Sequence, residues 1–527
     1  MRSEKLGKRD HLICRIQPEH SRIPRFYWTH LCALNVANNV DYLNSILKFA
    51  LTVFLFSTFF IAIVFISNNQ ISTIPLLSIE LLQSSTYPTE TTTVEEQRPI
   101  QQNSWADEFV SNLSCASLFE ENAPRDEIER LKTWKYSDQF FLKQMEDADN
   151  NCDVIRQTFG FNILPLSQEE ADYPLAYGMI VYKNLAQASL SEITGAIYHP
   201  QNAYCIAIDG KSTKQFRESV IEISKCFPNI TVINAGPIEW CTKSILESLY
   251  SCFQELTLRN HSWRYYQYIT GLDLPLKTNL EMVRIFKQLN GTNIAEVTVG
   301  GRIRSEKRID NSTRLPVRKA GMSALISREA ADAALKVPEN YEAVDEVVTH
   351  IYLKSASVYK CCSDELFWTT VFGNKRTMSL PGSFDADKMI KAGLVKKFFG
   401  VIWSRNITAI ERTPEEPFPL QHYNIGRYQV WKSKKSICKG KYRSGSCVYG
   451  LGDLPILIRR AELTAHKFHM DVEPAAFFCL WKQVRDRAFD PQQNLFRGLT
   501  YRSLPHVQLH HGKTIKELYL QYDNRTL

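Results

Sequence analysis

An alternation of short apolar runs and amphipathic stretches between residues 177 and 258 constrains the fold more than any other feature of this sequence. The runs YGMIVYK (177–183), NAYCIAIDGKS (202–212) and NITVINA (229–235) are predicted to be strands, and the stretches that follow each of them are predicted to be helices. This order indicates a parallel α/β sheet, whose ligands bind at the carboxyl ends of the strands. Asp209 closes the second run and is therefore a candidate ligand-binding residue, although a strand-end turn often carries an aspartate for structural reasons.

Residues 49–66 (FALTVFLFSTFFIAIVFI) form an apolar stretch without a charge. Its length of about 18 residues is near the minimum for a helix that crosses a bilayer, and a buried core helix is the alternative. Lys and Arg outnumber Asp and Glu before it, which favours a cytosolic N-terminus. We therefore predict a type II membrane protein with this domain organisation: 1–48 cytosolic tail, 49–66 transmembrane signal-anchor, 67–110 flexible stem and 111–527 lumenal catalytic domain.

The distribution of Asn-X-Ser/Thr triplets and cysteines agrees with a lumenal domain. All the triplets follow the apolar stretch, as do all but two of the 13 cysteines, which should mostly pair in an oxidising compartment. The odd number of cysteines beyond the stretch leaves at least one thiol unpaired or intermolecular. The candidate glycosylation sites are Asn112, Asn229, Asn260, Asn290, Asn311, Asn406 and Asn524.

Charge and ligand patterns argue against two other classes of function. The net charge of +7 over 527 residues is too dispersed to indicate nucleic-acid binding, and no basic run is interleaved with aromatic residues. No CxxC pairs with a second CxxC or with closely spaced histidines, so a zinc site is not indicated. Two Asp-x-Asp strings, 147–149 and 385–387, are interpreted as solvated loops because neither ends an apolar strand.

An ordered series of motifs resembles the core-2/I-branching β-1,6-N-acetylglucosaminyltransferases, glycosyltransferase family 14. The resemblance covers roughly residues 110–500, and the strings that carry it are YPLAYGMIVYK, YCIAIDGKS, WRYYQYITGLDLPLKT, GMSALISREAA, SDELFWTTV, PGSF and CVYGLGDLP. The resemblance implies an α/β fold of the GT-A type, with a mostly parallel central sheet flanked by helices and preceded here by a single transmembrane helix. It also implies UDP-sugar donors, inversion at the anomeric carbon and a Golgi membrane location.

A base is the first chemical requirement of an inverting sugar transfer, because the acceptor hydroxyl must lose a proton. In CCSDELFWTTV, Ser363 is predicted to be a helix N-cap, with Asp364 and Glu365 in the first turn. Acids at a helix N-terminus offset the helix dipole, so the residues alone permit a structural interpretation. Glu365 matches the family's catalytic glutamate, which makes it the candidate base.

Positive charge at the departing diphosphate is the second requirement. The resemblance matches Lys467 with the family's phosphate-binding lysine, and Asp209 with an aspartate that contacts uridine. The family's arginine falls at Ser444 by strict counting, and Arg443 is the nearest candidate. The family uses these basic side chains instead of a metal, so no cofactor is expected and the UDP-sugar is a co-substrate.

The resemblance also suggests acceptor contacts and disulfides. Glu296, Tyr428 and Trp431 correspond approximately to the family's acceptor-binding residues. Cys241, Cys361 and Cys362 have no counterpart among the family's disulfides, and one of them could bond to another. The implied pairs are Cys115 with Cys479, Cys152 with Cys226, Cys205 with Cys252, and Cys438 with Cys447.

The leading hypothesis is a Golgi transferase that moves GlcNAc from UDP-GlcNAc in β-1,6 linkage onto an O-glycan or glycoprotein acceptor. A transferase of the same fold with another donor, such as UDP-xylose, is the first alternative. An inactive lumenal glycan-binding protein is the second, favoured by the displaced arginine and opposed by Glu365 and Lys467. The sequence identifies neither the acceptor glycan nor the oligomeric state.

Overall fold

The computed structural model describes residues 104–518 except for 121, 149–151, 186, 188–197, 300–313, 355–361, 392–395, 398–423, 433–437 and 494. The described residues all fall within one compact unit, Glu95–Leu527, and the other unit, Met1–Val94, lies outside them.

The strands are β1 (Leu175–Val181), β2 (Ala203–Ile208), β3 (Ile230–Asn234), β4 (Tyr265–Thr270), β5 (Asp273–Pro275), β6 (Ile294–Ala295), β7 (Thr298–Val299), β8 (Ala324–Ser327), β9 (Lys396–Lys397), β10 (Arg427–Gln429), β11 (Lys441–Arg443), β12 (Ser446–Val448) and β13 (Thr464–His466). The α-helices are α1 (Trp105–Ser111), α2 (Arg125–Lys132), α3 (Gln139–Ala148), α4 (Cys152–Phe159), α5 (Gln168–Ala171), α6 (Lys214–Lys225), α7 (Lys243–Leu258), α8 (Asn279–Leu289), α9 (Arg328–Lys336), α10 (Pro338–Lys354), α11 (Phe367–Phe372), α12 (Ala386–Lys391), α13 (Leu454–Leu457), α14 (Pro474–Phe489), α15 (Gly498–Arg502) and α16 (Pro505–His510). Short 3-10 helices cover Ala116–Phe119, Ser363–Glu365, Leu451–Asp453 and Pro491–Gln493.

The central sheet has the strand order β3-β2-β1-β4-β8-β6. Its first four strands are parallel, and β8 is antiparallel to both of its neighbours. The predicted strands at 177–183, 202–212 and 229–235 correspond to β1, β2 and β3, and the expected mostly parallel sheet is confirmed. The architecture fits the GT-A type that the resemblance implied.

Side-chain size explains how helices cover the two faces of this sheet. Along β1 and β2, small residues such as Ala203 and Cys205 alternate with large ones such as Tyr204 and Ile206, and all of these are buried. The small residues share a core with the apolar face of α7, while the large residues belong to the core on the other face. A disulfide between Cys205 and Cys252 joins β2 to α7 across the small-residue face.

Of the three helices predicted to follow the apolar runs, two are confirmed and one lies mostly outside the described residues. The predicted helices at 212–227 and 240–258 are confirmed as α6 and α7, and the Thr213 hydroxyl accepts from Phe216 N to cap the start of α6. The predicted helix at 184–198 lies mostly outside the described residues.

The prediction of a transmembrane helix preceding this fold is corrected. Across the described ranges, no helix is both long and apolar enough to cross a membrane. The physical reason is that the long helices found there, such as α7 and α14, bury an apolar face against the domain core and carry polar residues elsewhere. The segment to which the span was assigned, 49–66, lies outside the described residues.

A buried ion pair and a disulfide join the region of α1, at the beginning of the described domain, to α14. The Asp107 carboxylate on α1 accepts from Arg485 Nε on α14, at 3.1 Å to each carboxylate oxygen, and both side chains are buried. Arg485 also donates to the Gly160 carbonyl at 3.0 Å. The disulfide Cys115–Cys479 joins the same two parts of the chain, because Cys115 follows α1 and Cys479 lies on α14. Helix α1 is therefore part of the folded domain, although it lies largely within the predicted stem.

Candidate active site

Asp209 lies directly after β2, at the carboxyl end of the parallel strands. Its buried carboxylate Oδ1 accepts from Lys211 N at 2.9 Å and from Ile238 N at 3.1 Å, which ties it to the loop after β3. One oxygen of the Asp209 carboxylate therefore holds the loops after β2 and β3 in place. This is the structural role that a strand-end aspartate often has. The position at the strand ends is also the one where α/β sheets bind ligands.

Arg443 and Lys467 lie close enough for the charge of Arg443 to act on Lys467. Arg443 ends β11, and the disulfide Cys438–Cys447 closes the β11–β12 hairpin. Lys467 follows β13, and its backbone N–H donates to the Cys447 carbonyl at 3.3 Å, so the hairpin and β13 are held side by side. Ser444, at which strict counting placed the family's arginine, has a positive φ of 52° in the hairpin turn.

The electrostatics of this cluster show that several cations share it. Burial and the Arg443 charge lower the pKa of Lys467. Burial and the charges of Lys467, Arg443 and Lys183 lower the pKa of His469 to about 4, so this imidazole is neutral at pH 7. Asp471 accepts two hydrogen bonds from Arg443, at 2.8 and 3.0 Å, and is the acidic partner of the cluster. An anionic group that enters here would find concentrated positive charge.

A buried ionic cluster supports the strand that carries Lys467. Asp273 on β5 accepts from Arg427 at 2.5 Å and contacts His466 Nδ1 at 2.7 Å. Burial opposes ionisation of Asp273, but Arg427 and His466 outweigh it and lower the pKa of this carboxyl. Because β10, β13 and β5 form one small sheet, this cluster fixes the position of Lys467, the residue after His466.

Glu365 ends the 3-10 helix Ser363–Glu365, and α11 begins two residues later. Its side chain is 34% exposed and forms an ion pair with Lys319. Its backbone carbonyl accepts from Ala320 N at 2.7 Å. The prediction that Ser363 caps a helix is wrong, because its hydroxyl donates to the Thr242 carbonyl at 2.9 Å and no side-chain cap is present.

Asp364 has the opposite environment from its neighbour. It is buried, and its Oδ1 has no hydrogen-bond partner. Burial, with a smaller contribution from Glu365, raises the pKa of Asp364 to about 6. Of the two adjacent acids, only Glu365 is therefore both accessible and paired with a cation.

A disulfide joins the turn that carries Glu365 to the loop after β3. Cys362, which precedes this turn, is bonded to Cys241, and the Ser363–Thr242 hydrogen bond lies beside the disulfide. The same loop binds Asp209 through Ile238 N. Glu365 and Asp209 are thus held at the same end of the sheet by one loop.

The acceptor candidates lie in different surroundings. Glu296 follows β6, its Oε1 accepts from Thr298 Oγ1 at 3.2 Å, and its carboxylate lies against Gly321, two residues from Lys319. Trp431 is 48% exposed beside the Gly445 turn. Tyr428 is buried, with its ring stacked on Tyr449 and the Arg460 guanidinium over it at 4.2 Å. This packing removes the Tyr428 ring from the accessible surface.

The four disulfides implied by the resemblance are all present: Cys115–Cys479, Cys152–Cys226, Cys205–Cys252 and Cys438–Cys447. Cys361 lies outside the described residues, as do the candidate glycosylation sites Asn311, Asn406 and Asn524.

The other candidate glycosylation sites differ in accessibility. Asn112, Asn260 and Asn290 are exposed. Asn229 is half-buried, and its Nδ2 donates to the carbonyls of His199 and Asn202 at 3.2 and 3.0 Å. Both N–H groups of Asn229 are engaged in this conformation, so it is the least accessible acceptor of these four.

Candidate metal ligands in the described part of the chain have other roles. Cys438, Cys447 and Asp453 lie close together, but the cysteines form a disulfide and the carboxylate accepts from the backbone N–H groups of Lys439, Gly440 and Gly450. In the second Asp-x-Asp string, Asp385 pairs with Arg376, and Asp387 pairs with Arg318. Asp149 of the first string lies outside the described residues.

Sequence reasoning missed several groups that surround the site. Lys319 contacts Glu365, His469 and Lys183 join the basic cluster, and Trp240 is exposed next to Cys241. Lys183 is the last residue of the predicted strand 177–183, so its position was a usable signal. Lys319 had no such signal, because its proximity to Glu365 arises only from tertiary packing.

Comparison with known proteins gives a consistent result. Residues 175–382 match the family model described as "Branch: Core-2/I-Branching enzyme". The chain is 29% identical to the N-acetyllactosaminide beta-1,6-N-acetylglucosaminyl-transferase of Mus musculus over 352 residues, covering 62% of this chain and 77% of that protein. It is 26% identical to the beta-1,3-galactosyl-O-glycosyl-glycoprotein beta-1,6-N-acetylglucosaminyltransferase 3 of Ovis aries over 377 residues, covering 68% and 77% of the two chains. The Homo sapiens protein of that name is 26% identical over 386 residues, covering 68% and 78%.

Proposed function

We propose, from its similarity to the core-2/I-branching enzymes, that this chain is a glycosyltransferase of that family and that it transfers GlcNAc from UDP-GlcNAc, with inversion, in β-1,6 linkage onto an O-glycan acceptor. The relatives' names support GlcNAc as the transferred sugar and the β-1,6 linkage. The observation that carries the proposal is the meeting of groups from distant parts of the chain around one end of the sheet. The loop after β3 binds Asp209 and is joined by a disulfide to the turn that carries Glu365, and the charge of Arg443 acts on Lys467.

In the proposed mechanism, Glu365 takes the proton of the acceptor hydroxyl as that oxygen bonds to the anomeric carbon. The bond from this carbon to the donor phosphate breaks at the same time, and its electron pair leaves with UDP. Lys467 and Arg443 stabilise the negative charge that develops on the diphosphate, and Asp209 contacts the uridine. Catalysis without a metal is part of the proposal, because these cations supply the charge that a metal would otherwise provide.

A Golgi lumenal location for the catalytic domain is also proposed. The disulfides of the described domain support it, since such bonds persist in oxidising compartments. Glu296 and Trp431 are proposed as acceptor contacts because they lie near Lys319 and the Arg443 hairpin, respectively.

Glu365→Gln is the variant that tests the proposed base. It keeps the shape of the side chain but cannot accept a proton, so kcat should fall by roughly 10² to 10⁴-fold while UDP affinity stays within twofold. Glu222→Gln is a matched control, because Glu222 on α6 is also paired with a lysine, Lys225, and its side chain is 30% exposed. Turnover near the wild-type value in folded Glu365→Gln would assign the base role to another group.

The donor is tested by measuring acceptor-dependent transfer with a panel of UDP-sugars. The proposal expects UDP-GlcNAc to be preferred over UDP-xylose by kcat/KM. A preference for UDP-xylose would favour the alternative donor. UDP binding without transfer or hydrolysis of any donor would instead favour the glycan-binding alternative.

A further inference from the structure

Lys319 lies in a segment that contacts Glu365 at two separate points. The Lys319 ammonium forms an ion pair with Glu365 Oε2, and Ala320 N donates to the Glu365 backbone carbonyl at 2.7 Å. The Lys319 side chain is 11% exposed, so most of it is packed against protein. Both the carboxylate and the backbone of Glu365 are therefore held by two consecutive residues.

The segment itself is anchored on both sides of Lys319. Arg318 N donates to Thr370 Oγ1 on α11 at 2.9 Å. The Lys319 carbonyl accepts from Thr298 N at 3.3 Å. With the backbone fixed in this way, the Lys319 side chain has few ways to leave Glu365.

Three carboxylates lie close to Lys319 or to residues near it. Glu365 is paired with it, the Glu296 carboxylate lies against Gly321, and buried Asp364 precedes Glu365. Arg427 and Lys319 both act on Asp364, and both favour its charged form. Without Lys319, Glu365 would lose the cation that opposes repulsion from its acidic neighbours, and its side chain would be able to adopt other rotamers.

We propose that Lys319 is a positioning residue for sugar transfer, which holds Oε2 of Glu365 so that Oε1 is the oxygen that receives the acceptor's proton. This inference rests on the proposed role of Glu365 as the base. No covalent bond to Lys319 forms. The proposal predicts an effect on kcat rather than on donor binding, because Lys319 acts through Glu365.

The test compares Lys319→Met, Lys319→Arg and the adjacent control Arg318→Met. Arg318 also pairs with a carboxylate, but with Asp387 rather than Glu365. Lys319→Met should lower kcat by about 10²-fold, the cost of a misplaced reacting group, and leave KM for the donor within twofold. Lys319→Arg should recover most of the lost kcat, and Arg318→Met should keep kcat within twofold.

A double variant separates a positioning role from a purely structural one. Adding Lys319→Met to Glu365→Gln should lower kcat by less than twofold further, because the group on which Lys319 acts is already disabled. Unchanged kcat in Lys319→Met, or equal losses in Lys319→Met and Arg318→Met, would overturn the inference. If Lys319→Met does not fold, Lys319→Gln replaces it in the same comparisons.

The donor panel distinguishes failure of this inference from failure of the proposed function. A wild-type protein that transfers no sugar from any UDP-sugar would overturn both. An active wild-type protein in which Glu365→Gln loses turnover and Lys319→Met does not would overturn only the role of Lys319.

Discussion

Asp364 and Glu365 are adjacent in sequence but differ in their contact with water. Asp364 is buried without a partner for Oδ1, whereas Glu365 is partly exposed and paired with Lys319. Burial first, and Glu365 second, raise the pKa of Asp364 to about 6, above its ordinary value of 3.8. The folded protein thus holds a proton on Asp364 more tightly than the unfolded chain does.

This difference predicts a pH-dependent effect of Asp364→Asn on stability. Protonated Asp364 contributes stability that is fully present below pH 3.8 and is lost as pH rises through about 6. At pH 8 the cost of the ionised group is about 3 kcal/mol, and asparagine avoids it. Urea denaturation should show the free energy of unfolding of the variant rising relative to the wild type between pH 4 and 8. If the difference in the free energy of unfolding between variant and wild type is constant over this range, the raised pKa of the buried Asp364 carboxyl is contradicted.

At the scale of secondary-structure elements, the Cys241–Cys362 disulfide connects the loop after β3 with the 3-10 helix that carries Glu365. The two segments are 121 residues apart in the chain, so the bond removes much conformational freedom from the unfolded state. It also restricts the turn of Glu365 in the folded state, together with the Ser363–Thr242 hydrogen bond. We therefore expect this bond to affect both stability and turnover.

The double variant Cys241→Ser/Cys362→Ser should lose about 2–4 kcal/mol of stability and also turn over more slowly. Cys152→Ser/Cys226→Ser is the control, because this bond joins α4 to the end of α6 and touches neither Glu365 nor Lys467. The control should lose a comparable amount of stability but keep its kcat at a temperature where it is folded. Equal kcat values in the two double variants would show that the Cys241–Cys362 bond is structural only.

At the scale of the whole molecule, the cluster around His469 gathers cations from three separate segments: Lys183 after β1, Arg443 at the end of β11 and Lys467 after β13. In the part of the fold that we describe, Asp385 and Asp387 of the second Asp-x-Asp string pair with Arg376 and Arg318, respectively. This distribution of charge motivates the proposal of metal-free catalysis.

Sugar transfer should accordingly survive exhaustive chelation. After incubation with EDTA and removal of the chelate, kcat should remain within twofold of its initial value, because in the proposed mechanism Lys467 and Arg443 provide the charge at the diphosphate. Manganese added back should not raise it. Loss of activity on chelation that manganese restores would refute metal-free catalysis.

Much of the fold could be predicted because its signals are local. The apolar runs of β1, β2 and β3 and the amphipathic pattern of α7 report the faces that they bury, and the ordered motifs identified the candidate residues. The cap at Ser363 was mispredicted because its hydroxyl bonds to Thr242, which is distant in sequence. The burial of Tyr428 was missed for the same reason, since its partners Tyr449 and Arg460 are brought there by packing.

The sequence by itself determined the mostly parallel sheet, the family resemblance, the candidate base and the candidate diphosphate-binding residues, because periodicity and short motifs are properties of neighbouring residues. Only the tertiary structure decided that Lys319 pairs with Glu365, that Cys241 bonds to Cys362 and that Asp364 is buried. Ion pairs, disulfides and desolvation depend on distances between segments far apart in the chain. Those distances are set by how helices and loops pack around the sheet, which no local pattern specifies.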